Sequence, residues 1–237
     1  MTKETVMATL ATKRQLTHDV FDLVFKTHTP FPFKAGQFVS IKFPSEKPPH
    51  FRAYSIACRS YPDARTVQSC IKRIEGGPAS SYICSLSEGD TVELKGPSGV
   101  FLADQPQVAM YYFITTGTGI APLKAMIEDT LLNRGDTTTP IFLVFGFRSE
   151  RDIFYKADFD RLQAQFPNFT YEITLSKPSP EWTGTRGRVT AYLDTHLTDP
   201  LSKHYYLCGL GEMVKDVRLS LSELGVPKTQ IHYERYT

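Results

Sequence analysis

The chain has 237 residues, of which 41% are hydrophobic and 22% charged, a composition typical of a soluble globular protein. Its 27 Lys and Arg residues nearly balance its 25 Asp and Glu residues, so the formal net charge of +2 gives no support to nucleic-acid binding. The length is comfortable for two domains of ordinary size.

The four cysteines, Cys58, Cys70, Cys84 and Cys208, form no CxxC pair and no Cys/His cluster with zinc or iron–sulfur spacing. We therefore expect no metal centre. Isolated cysteines favour a reducing compartment. Residues 1–12 lack the apolar core of a signal peptide, and no apolar run approaches the ~20 residues that span a bilayer. These features predict a cytoplasmic protein with no membrane partner.

The pattern of apolar residues changes near residues 103–107. Before that point, short apolar stretches with period-two alternation are separated by Gly and Pro, which predicts an antiparallel barrel or sandwich. The clearest strands there are Val20–Phe25, Gln37–Phe43 and Thr91–Leu94. One helix, from about Pro78 to Leu86, interrupts them.

After residue 107, apolar strands alternate with helical stretches, which predicts a doubly wound parallel sheet. The predicted strands, about five, are Met110–Ile114, Ile141–Phe145, Phe169–Leu175 and Tyr205–Cys208, with a terminal strand from Ile231. The predicted helices are Pro122–Asn133, Lys156–Gln165, Val189–Thr195 and Glu212–Leu224. The sequence thus predicts two domains, an antiparallel β-barrel over residues 1–104 and an α/β domain over residues 105–237.

The string Arg52-Ala53-Tyr54-Ser55 lies in a predicted strand of the barrel. Arg52 supplies a planar fork that fits phosphate oxygens. Tyr54 shares its strand face and can lie against a flat ring, and Ser55 can reach the edge of that ring. The set suits a flavin nucleotide. Taken alone, it equally suits a strand with one surface arginine and one half-buried tyrosine.

Three further strings combine glycine with the start of a helix. In Gly76–Ser81, the glycines admit a ligand close to the backbone, and free helix N–H groups suit a pyrophosphate, with Ser80 adding a hydroxyl. Thr116–Pro122 directly follows a strand, the context of phosphate binding, although Pro122 replaces the third glycine of GxGxxG. Cys208–Met213 also runs from strand to helix. Each string also suits an ordinary turn, cap or buried core residue.

The chain ends in Ile231–Thr237, which predicts a terminal strand carrying a carboxylate and an aromatic ring. Glu234 can orient Ser55 or relay a proton, and Tyr236 can cover a ring. The alternative is a frayed tail.

In this order, the strings resemble the ferredoxin–NADP reductase superfamily, whose pattern is RxYS, a Gly-rich helix start with Ser, GTGxxP, CG with a downstream Met, and a near-terminal Glu. Phe33–Phe38 and Gly96–Phe101 are similar to the FxxGQF and GPxGxF strings of that family. The resemblance covers about Val6 to Tyr236. It implies a flavin-binding barrel and a nucleotide-binding α/β domain.

The resemblance also implies an activity and its residues. Hydride would pass between NAD(P)H and bound FAD, and electrons would then pass to a separate small carrier such as a ferredoxin, a flavodoxin or an oxygenase component. The implied catalytic residues are Ser55, Cys208 and Glu234. The residues implied to hold the flavin are Arg52, Ala53, Tyr54, Ser55, Ile71, Lys72, Arg73, Gly77, Ala79, Ser80 and Tyr236. Those implied to hold the nicotinamide end are Thr116, Gly117, Thr118, Gly119, Pro122, Cys208, Gly209 and Met213.

The choice between NADPH and NADH depends on cations near the adenine ribose. A 2′-phosphate needs two or more of them, and the residues at matching positions are Arg148, Ser176, Lys177 and Arg188. These favour NADPH, although the run Trp182–Val189 is similar to some NADH-using members. Two other functions stay open on the sequence alone, a free-flavin reductase and a non-catalytic nucleotide-binding regulatory protein.

Overall fold

A computed structural model describes residues 4–45, 48, 50–105 and 108–236. The structure divides into two compact units, one formed by the chain up to Ala103 with Lys124–Asn133, the other by Asp104–Leu123 with the chain from Arg134 onwards. The outer limits of the predicted domains, residues 1 and 237, lie outside the described residues, as do residues 106 and 107 of the predicted boundary.

The first unit contains a six-stranded antiparallel sheet that is nearly closed. Its strands are β1 (Glu4–Gln15), β2 (Val20–Thr27), β3 (Phe38–Lys42), β4 (Phe51–Ser55), β5 (Thr66–Lys72) and β6 (Thr91–Ser98). They pair in the order β4-β3-β6-β1-β2-β5, and a bridge from Ile56 to Ser69 joins the two outer strands. The predicted antiparallel barrel is confirmed.

The barrel core explains why these residues form strands. Alternate residues of β1 and β2, such as Leu10, Leu23 and Phe25, are fully buried inside it. The helix α1 (Pro78–Ser85) places Ile83 and Cys84 in the same core. It ends one residue before the predicted Leu86.

The second unit is built on a six-stranded parallel sheet. Its strands are β7 (Tyr111–Thr116), β8 (Ile141–Phe147), β9 (Phe169–Leu175), β10 (Thr185–Arg186), β11 (His204–Leu210) and β12 (Ile231–Tyr236). They pair in the order β10-β9-β8-β7-β11-β12. Its helices are α2 (Ile120–Glu128), α3 (Lys156–Gln165), α4 (Val189–His196) and α5 (Gly211–Glu223). The predicted doubly wound parallel sheet is confirmed.

Two details of this sheet differ from prediction. The two-residue strand β10 was not predicted, because two residues carry no periodic signal. Helix α2 begins at Ile120 rather than Pro122, since a 3₁₀ turn over Gly117–Gly119 leads directly into it. Pro122 then lies in the first helical turn, where its missing N–H is not needed. Among the described residues, no helix is long and apolar enough to cross a membrane.

Residues Lys124–Asn133 belong to the first unit, although the prediction assigned them to residues 105–237. The reason is a buried polar contact. The Lys124 ammonium donates to the carbonyl of Ala57 at 3.1 Å and pairs with the Glu128 carboxylate at 2.6 Å. Glu128 also accepts the backbone N–H of Arg59 at 3.4 Å. Burial alone would lower the pKa of Lys124, but the Glu128 carboxylate outweighs it and raises that pKa.

We expect Lys124→Met to lower the free energy of unfolding by about 3–5 kcal/mol, because Glu128 is then buried without its ammonium partner. Urea unfolding measures this. The matched control is Lys156→Met, which breaks an exposed pair with Asp160 and should cost at most about 1 kcal/mol. Lys124→Met/Glu128→Leu, which removes both charges, should recover most of the loss. Equal losses for the two lysine variants would contradict a buried pair.

Candidate functional site

Strand β4 places the first predicted string at the surface of the barrel. Arg52 and Ala53 are exposed, Tyr54 is half-buried against the barrel core, and Ser55 is buried. Burial and, to a smaller extent, Cys84 of α1 raise the pKa of Tyr54 to about 12, although Arg52 opposes them. The phenol therefore stays neutral beside a guanidinium.

The end of β5 carries the next predicted residues. Ile71 is buried in the core, whereas Lys72 and Arg73 are exposed. The Lys72 ammonium lies 3.1 Å from the carboxylate of Asp19, and the Arg73 guanidinium lies 5.7 Å from the ring centre of Phe21. Both cations are thus oriented by partners around the start of β2, the strand that pairs with β5.

The start of α1 presents backbone donors. Gly77 is the extended N-cap and Pro78 the first helical residue, with no side chain capping the helix. The first turn leaves the N–H groups of Ala79 and Ser80 outside the helical ladder. A Cβ at Gly77 would lie 3.0 Å from the Ser80 hydroxyl, so a larger residue would crowd this turn.

The hydroxyl of Ser80, which is predicted to help hold the flavin, makes two hydrogen bonds within its own turn. It accepts the N–H of Ile74 at 3.0 Å and lies 3.3 Å from the carbonyl oxygen of Gly77, to which it donates. It therefore closes the turn, while the first backbone amides of α1 remain available to an anion. A guanidinium, an aromatic ring and helix amides form a donor set that fits a flavin dinucleotide.

In the second unit, two glycine turns touch each other. A Cβ at Gly119 would lie 2.4 Å from the carbonyl oxygen of Cys208, and one at Gly209 would lie 2.7 Å from the Thr116 hydroxyl. That hydroxyl also accepts the N–H of Leu210 at 3.5 Å. The structure thus brings the predicted strings after β7 and β11 together at the carboxyl edge of the sheet, where ligands of open α/β folds bind.

Met213 is among the residues predicted to hold the nicotinamide end. It is buried in the core of the second unit, and its methyl group would lie 3.1 Å from a Cβ at Gly209. Met213 therefore supports the glycine turn from beneath.

Strands β11 and β12 bring the predicted catalytic pair of this unit together. Cys208 pairs in register with Glu234, and Leu210 with Tyr236. The Cys208 thiol is fully buried, which raises its pKa, and the Glu234 carboxylate raises it further, while the Tyr236 hydroxyl opposes them by hydrogen bonding to the thiol. The thiol therefore stays protonated at neutral pH. Since Tyr236 ends a paired strand, the alternative of a frayed tail is wrong for the residues described.

The residues expected near the adenine ribose follow neighbouring strands of the parallel sheet. The N–H of Lys177 donates to the carbonyl of Arg148 at 2.7 Å, and that of Ser176 to the carbonyl of Phe147 at 3.0 Å. Arg188 directly precedes α4. Arg148, Lys177 and Arg188 are exposed and follow strands β8, β9 and β10.

A pair of histidines on β11 and β12 was missed by the sequence analysis. His204 Nδ1 and His232 Nε2 lie 3.2 Å apart and share a hydrogen bond, and the His232 ring stacks on Tyr206 at 4.6 Å. Burial lowers the pKa of both rings. His204 lowers that of His232 further, and Asp104 opposes it. The two histidines are 28 residues apart, so only strand pairing reveals them.

We expect the free energy of unfolding to fall as the pH drops below about 6.5, the ordinary histidine pKa. A base whose pKa is lowered by folding contributes stability above its ordinary pKa and loses it as the pH falls through the folded value. Urea unfolding between pH 5 and pH 8 measures the slope. His232→Gln should flatten it, whereas His196→Gln, on an exposed helix end, should not. Equal slopes in all three proteins would contradict this assignment.

Comparisons with known proteins match each half of the chain separately. Residues 7–102 match the family model of the oxidoreductase FAD-binding domain, and residues 113–219 match that of the oxidoreductase NAD-binding domain. These matches confirm the expected FAD and nicotinamide cofactors.

Individual relatives agree. Ferredoxin–NADP reductase B of Sorangium cellulosum (strain So ce56) is 38% identical over 215 residues, covering 87% of this chain and 86% of the relative. One component of the Na⁺-translocating NADH-quinone reductase of Neisseria meningitidis serogroup C / serotype 2a is 38% identical over 199 residues, 77% of this chain, but the match spans only 48% of that relative. The solved ferredoxin reductase in carbazole 1,9a-dioxygenase superposes with a TM-score of 0.87 at 26% identity, covering 100% of this chain and 70% of that one.

Proposed function

The chain belongs to the ferredoxin–NADP reductase superfamily and is an oxidoreductase that uses FAD and a nicotinamide dinucleotide, and we propose that it oxidises NADPH in preference to NADH and delivers the electrons to a separate small carrier protein. The observation that carries the NADPH preference is the backbone hydrogen bond of 2.7 Å from Lys177 to Arg148. This bond holds the backbones of two residues with exposed cationic side chains next to each other at the edge of the parallel sheet.

The preference follows from charge. NADPH differs from NADH by a 2′-phosphate, and a phosphate is stabilised by several cations, best by an arginine fork. Arg148 and Lys177 lie together, and Arg188 begins the next helix along the same edge. The name of the Sorangium relative supports NADPH, and the name of the Neisseria relative specifies NADH. Both relatives are 38% identical to this chain, so their names do not favour one coenzyme over the other. The proposal therefore rests on the exposed cationic residues.

The residues of the barrel would hold the flavin from several sides. Arg52 and the first amides of α1 would bind the diphosphate, and Tyr54 would lie against the ring. Lys72 and Arg73 would add positive charge nearby. When bound, FAD accepts two electrons together and releases them one at a time, which suits a one-electron carrier.

We assign catalytic roles to Ser55 in the first unit and to Cys208 and Glu234 in the second. The Cys208 thiol remains protonated, so it acts as a neutral hydrogen-bonding group and not as a nucleophile. Glu234, beside it on β12, can hold or release a proton, and Ser55 offers a hydroxyl on β4. Orientation and electrostatics are thus the contribution of the protein.

The partner is proposed to be a ferredoxin, a flavodoxin or an oxygenase component. The solved structure with 26% identity is described as a ferredoxin reductase of a dioxygenase system, and the Sorangium relative is named for ferredoxin. The cysteine spacing of this chain offers no iron–sulfur site, so a one-electron acceptor would lie outside these 237 residues.

We expect Lys177→Ala and Arg188→Ala each to lower kcat/KM for NADPH by about 10- to 100-fold, the effect of losing one charge-assisted hydrogen bond. The value for NADH should change less than about twofold, since NADH lacks the phosphate. Anaerobic stopped-flow reduction with each coenzyme measures this, and Lys215→Ala, an exposed lysine of α5, is the control. Equal rates of wild-type reduction by NADPH and NADH would refute the preference.

We expect the purified protein to be yellow and to keep its flavin through gel filtration. Arg52→Ala should weaken this retention, whereas Cys208→Ala should retain the flavin but slow its reduction by NADPH, because the two residues lie in different units. Once reduced, the wild-type flavin should be reoxidised by an added ferredoxin or flavodoxin. A colourless protein that reduces added flavin would indicate a free-flavin reductase, and the reversed variant pattern would contradict the assignment of the two residues.

A further inference from the structure

The loop between β9 and β10, residues 176–184, is held from the side of β10 by one arginine. The Arg186 Nη2 atom donates to the carbonyl oxygens of Ser179, Pro180 and Trp182, at 3.1, 3.0 and 2.6 Å. The Nη2 end of the guanidinium is therefore engaged by the loop. We call residues 176–184 the ribose loop, because they include the predicted Ser176 and Lys177.

The ribose loop is also held from the side of β8. Glu150, which follows that strand in a short 3₁₀ turn, accepts the N–H of Ser179 at 2.8 Å. Hydrogen bonds from its own backbone N–H and from Ser179 lower the pKa of Glu150, and Arg186 contributes to that shift. Ser179 is therefore bonded on its N–H side to Glu150 and on its carbonyl side to Arg186.

Trp182 contacts the end of the ribose loop in two ways. The indole N–H of Trp182 donates to the carbonyl of Thr185 at 3.0 Å. A Cβ at Gly184 would lie 2.6 Å from the indole ring, so the ring packs directly on the backbone there. The loop thus has a defined conformation within the described part of the unit.

We propose that Arg186 and Glu150 are positioning residues that hold the ribose loop so that Lys177 stays beside Arg148, and that they thereby set the coenzyme preference through the loop. This inference rests on the proposed NADPH preference. It separates Arg186 from its neighbour Arg188, although the sequence presents the two as similar loop cations.

Charge supports this division of roles. Were Arg186 to bind a phosphate through Nη2, that atom would have to leave the carbonyl oxygens of the loop, and the lost hydrogen bonds would oppose binding. A carboxylate beside a phosphate site would repel the ligand. The Glu150 carboxylate instead accepts the N–H of Ser179, and the positive charge of Arg186 helps to lower its pKa. Both charges are therefore explained by the loop.

The test compares matched variants of the full chain by two measurements. Hydrogen exchange of the ribose-loop amides, without coenzyme, reports the conformation of the loop, and steady-state kinetics report KM and kcat for NADPH. We expect Arg186→Ala and Glu150→Ala to speed exchange at the loop and to raise KM for NADPH about fivefold to tenfold with kcat unchanged. Glu150→Gln keeps an acceptor oxygen for Ser179, so it should stay near wild type in both measurements. Arg188→Ala should raise KM without changing exchange.

Each contrary result has a distinct meaning. Unchanged exchange in Arg186→Ala would overturn the positioning role, as would faster exchange with no change in KM. If Glu150→Gln behaved as Glu150→Ala does, the charge of Glu150 would matter and its hydrogen-bonding role would be refuted. Equal use of NADPH and NADH by the wild type would refute the proposed preference, and the exchange data would still decide whether Arg186 and Glu150 hold the loop.

Discussion

The backbone contact between Gly119 and the end of β11 constrains the whole nucleotide side of the molecule. The carbonyl oxygen of Cys208 occupies the space that a Cβ at residue 119 would need, and Thr116 similarly occupies the space beside Gly209. Because β7 and β11 are adjacent parallel strands, this contact sets how closely their two turns approach. Cys208 and its neighbour Glu234 then lie at the same edge as the 3₁₀ turn that begins α2.

In the barrel, hydrogen bonds within one turn fix the start of α1. Ser80 ties residues Ile74 and Gly77 together, and this leaves the amides at the start of α1 pointing away from the turn. On the outer side of the barrel, the buried ion pair of Lys124 and Glu128 fastens the end of α2 to Ala57 and Arg59. In the first of these places, the structural polar group lies next to the helix amides that we assign to cofactor binding.

Several features could be predicted from the sequence because their signals are local. The apolar runs of β7 and β8 predict buried parallel strands, and the glycine strings mark the turns that follow such strands. The exposed cations Arg148 and Lys177 were predicted from their positions after successive strands. Strand β1 was not predicted, although its buried residues Val6, Ala8 and Leu10 alternate with more exposed ones, the pattern of a half-buried strand.

The missed features depend on contacts between distant parts of the chain. Nothing near Lys124 indicates that its ammonium meets Ala57, 67 residues away. The hydrogen bond of His204 to His232 exists only once β11 and β12 pair. The role of Arg186 is hidden for a related reason, since three carbonyl oxygens converge on it only after the loop has folded around Trp182. Residue type and strand order therefore predict which side chains reach an edge of the sheet. They do not predict which of those side chains are already hydrogen-bonded within the protein.

The burial of every cysteine has a practical consequence for studying the two units during turnover. Cys58, Cys70, Cys84 and Cys208 are all buried, and burial raises the pKa of Cys58 to about 12 and that of Cys84 to about 11. Thiolates are the reactive species, so these side chains should react slowly with maleimides and iodoacetamides. A cysteine introduced at the surface would then be labelled selectively in the otherwise native chain. One fluorophore or spin label in each unit could report the distance between them without prior removal of native thiols.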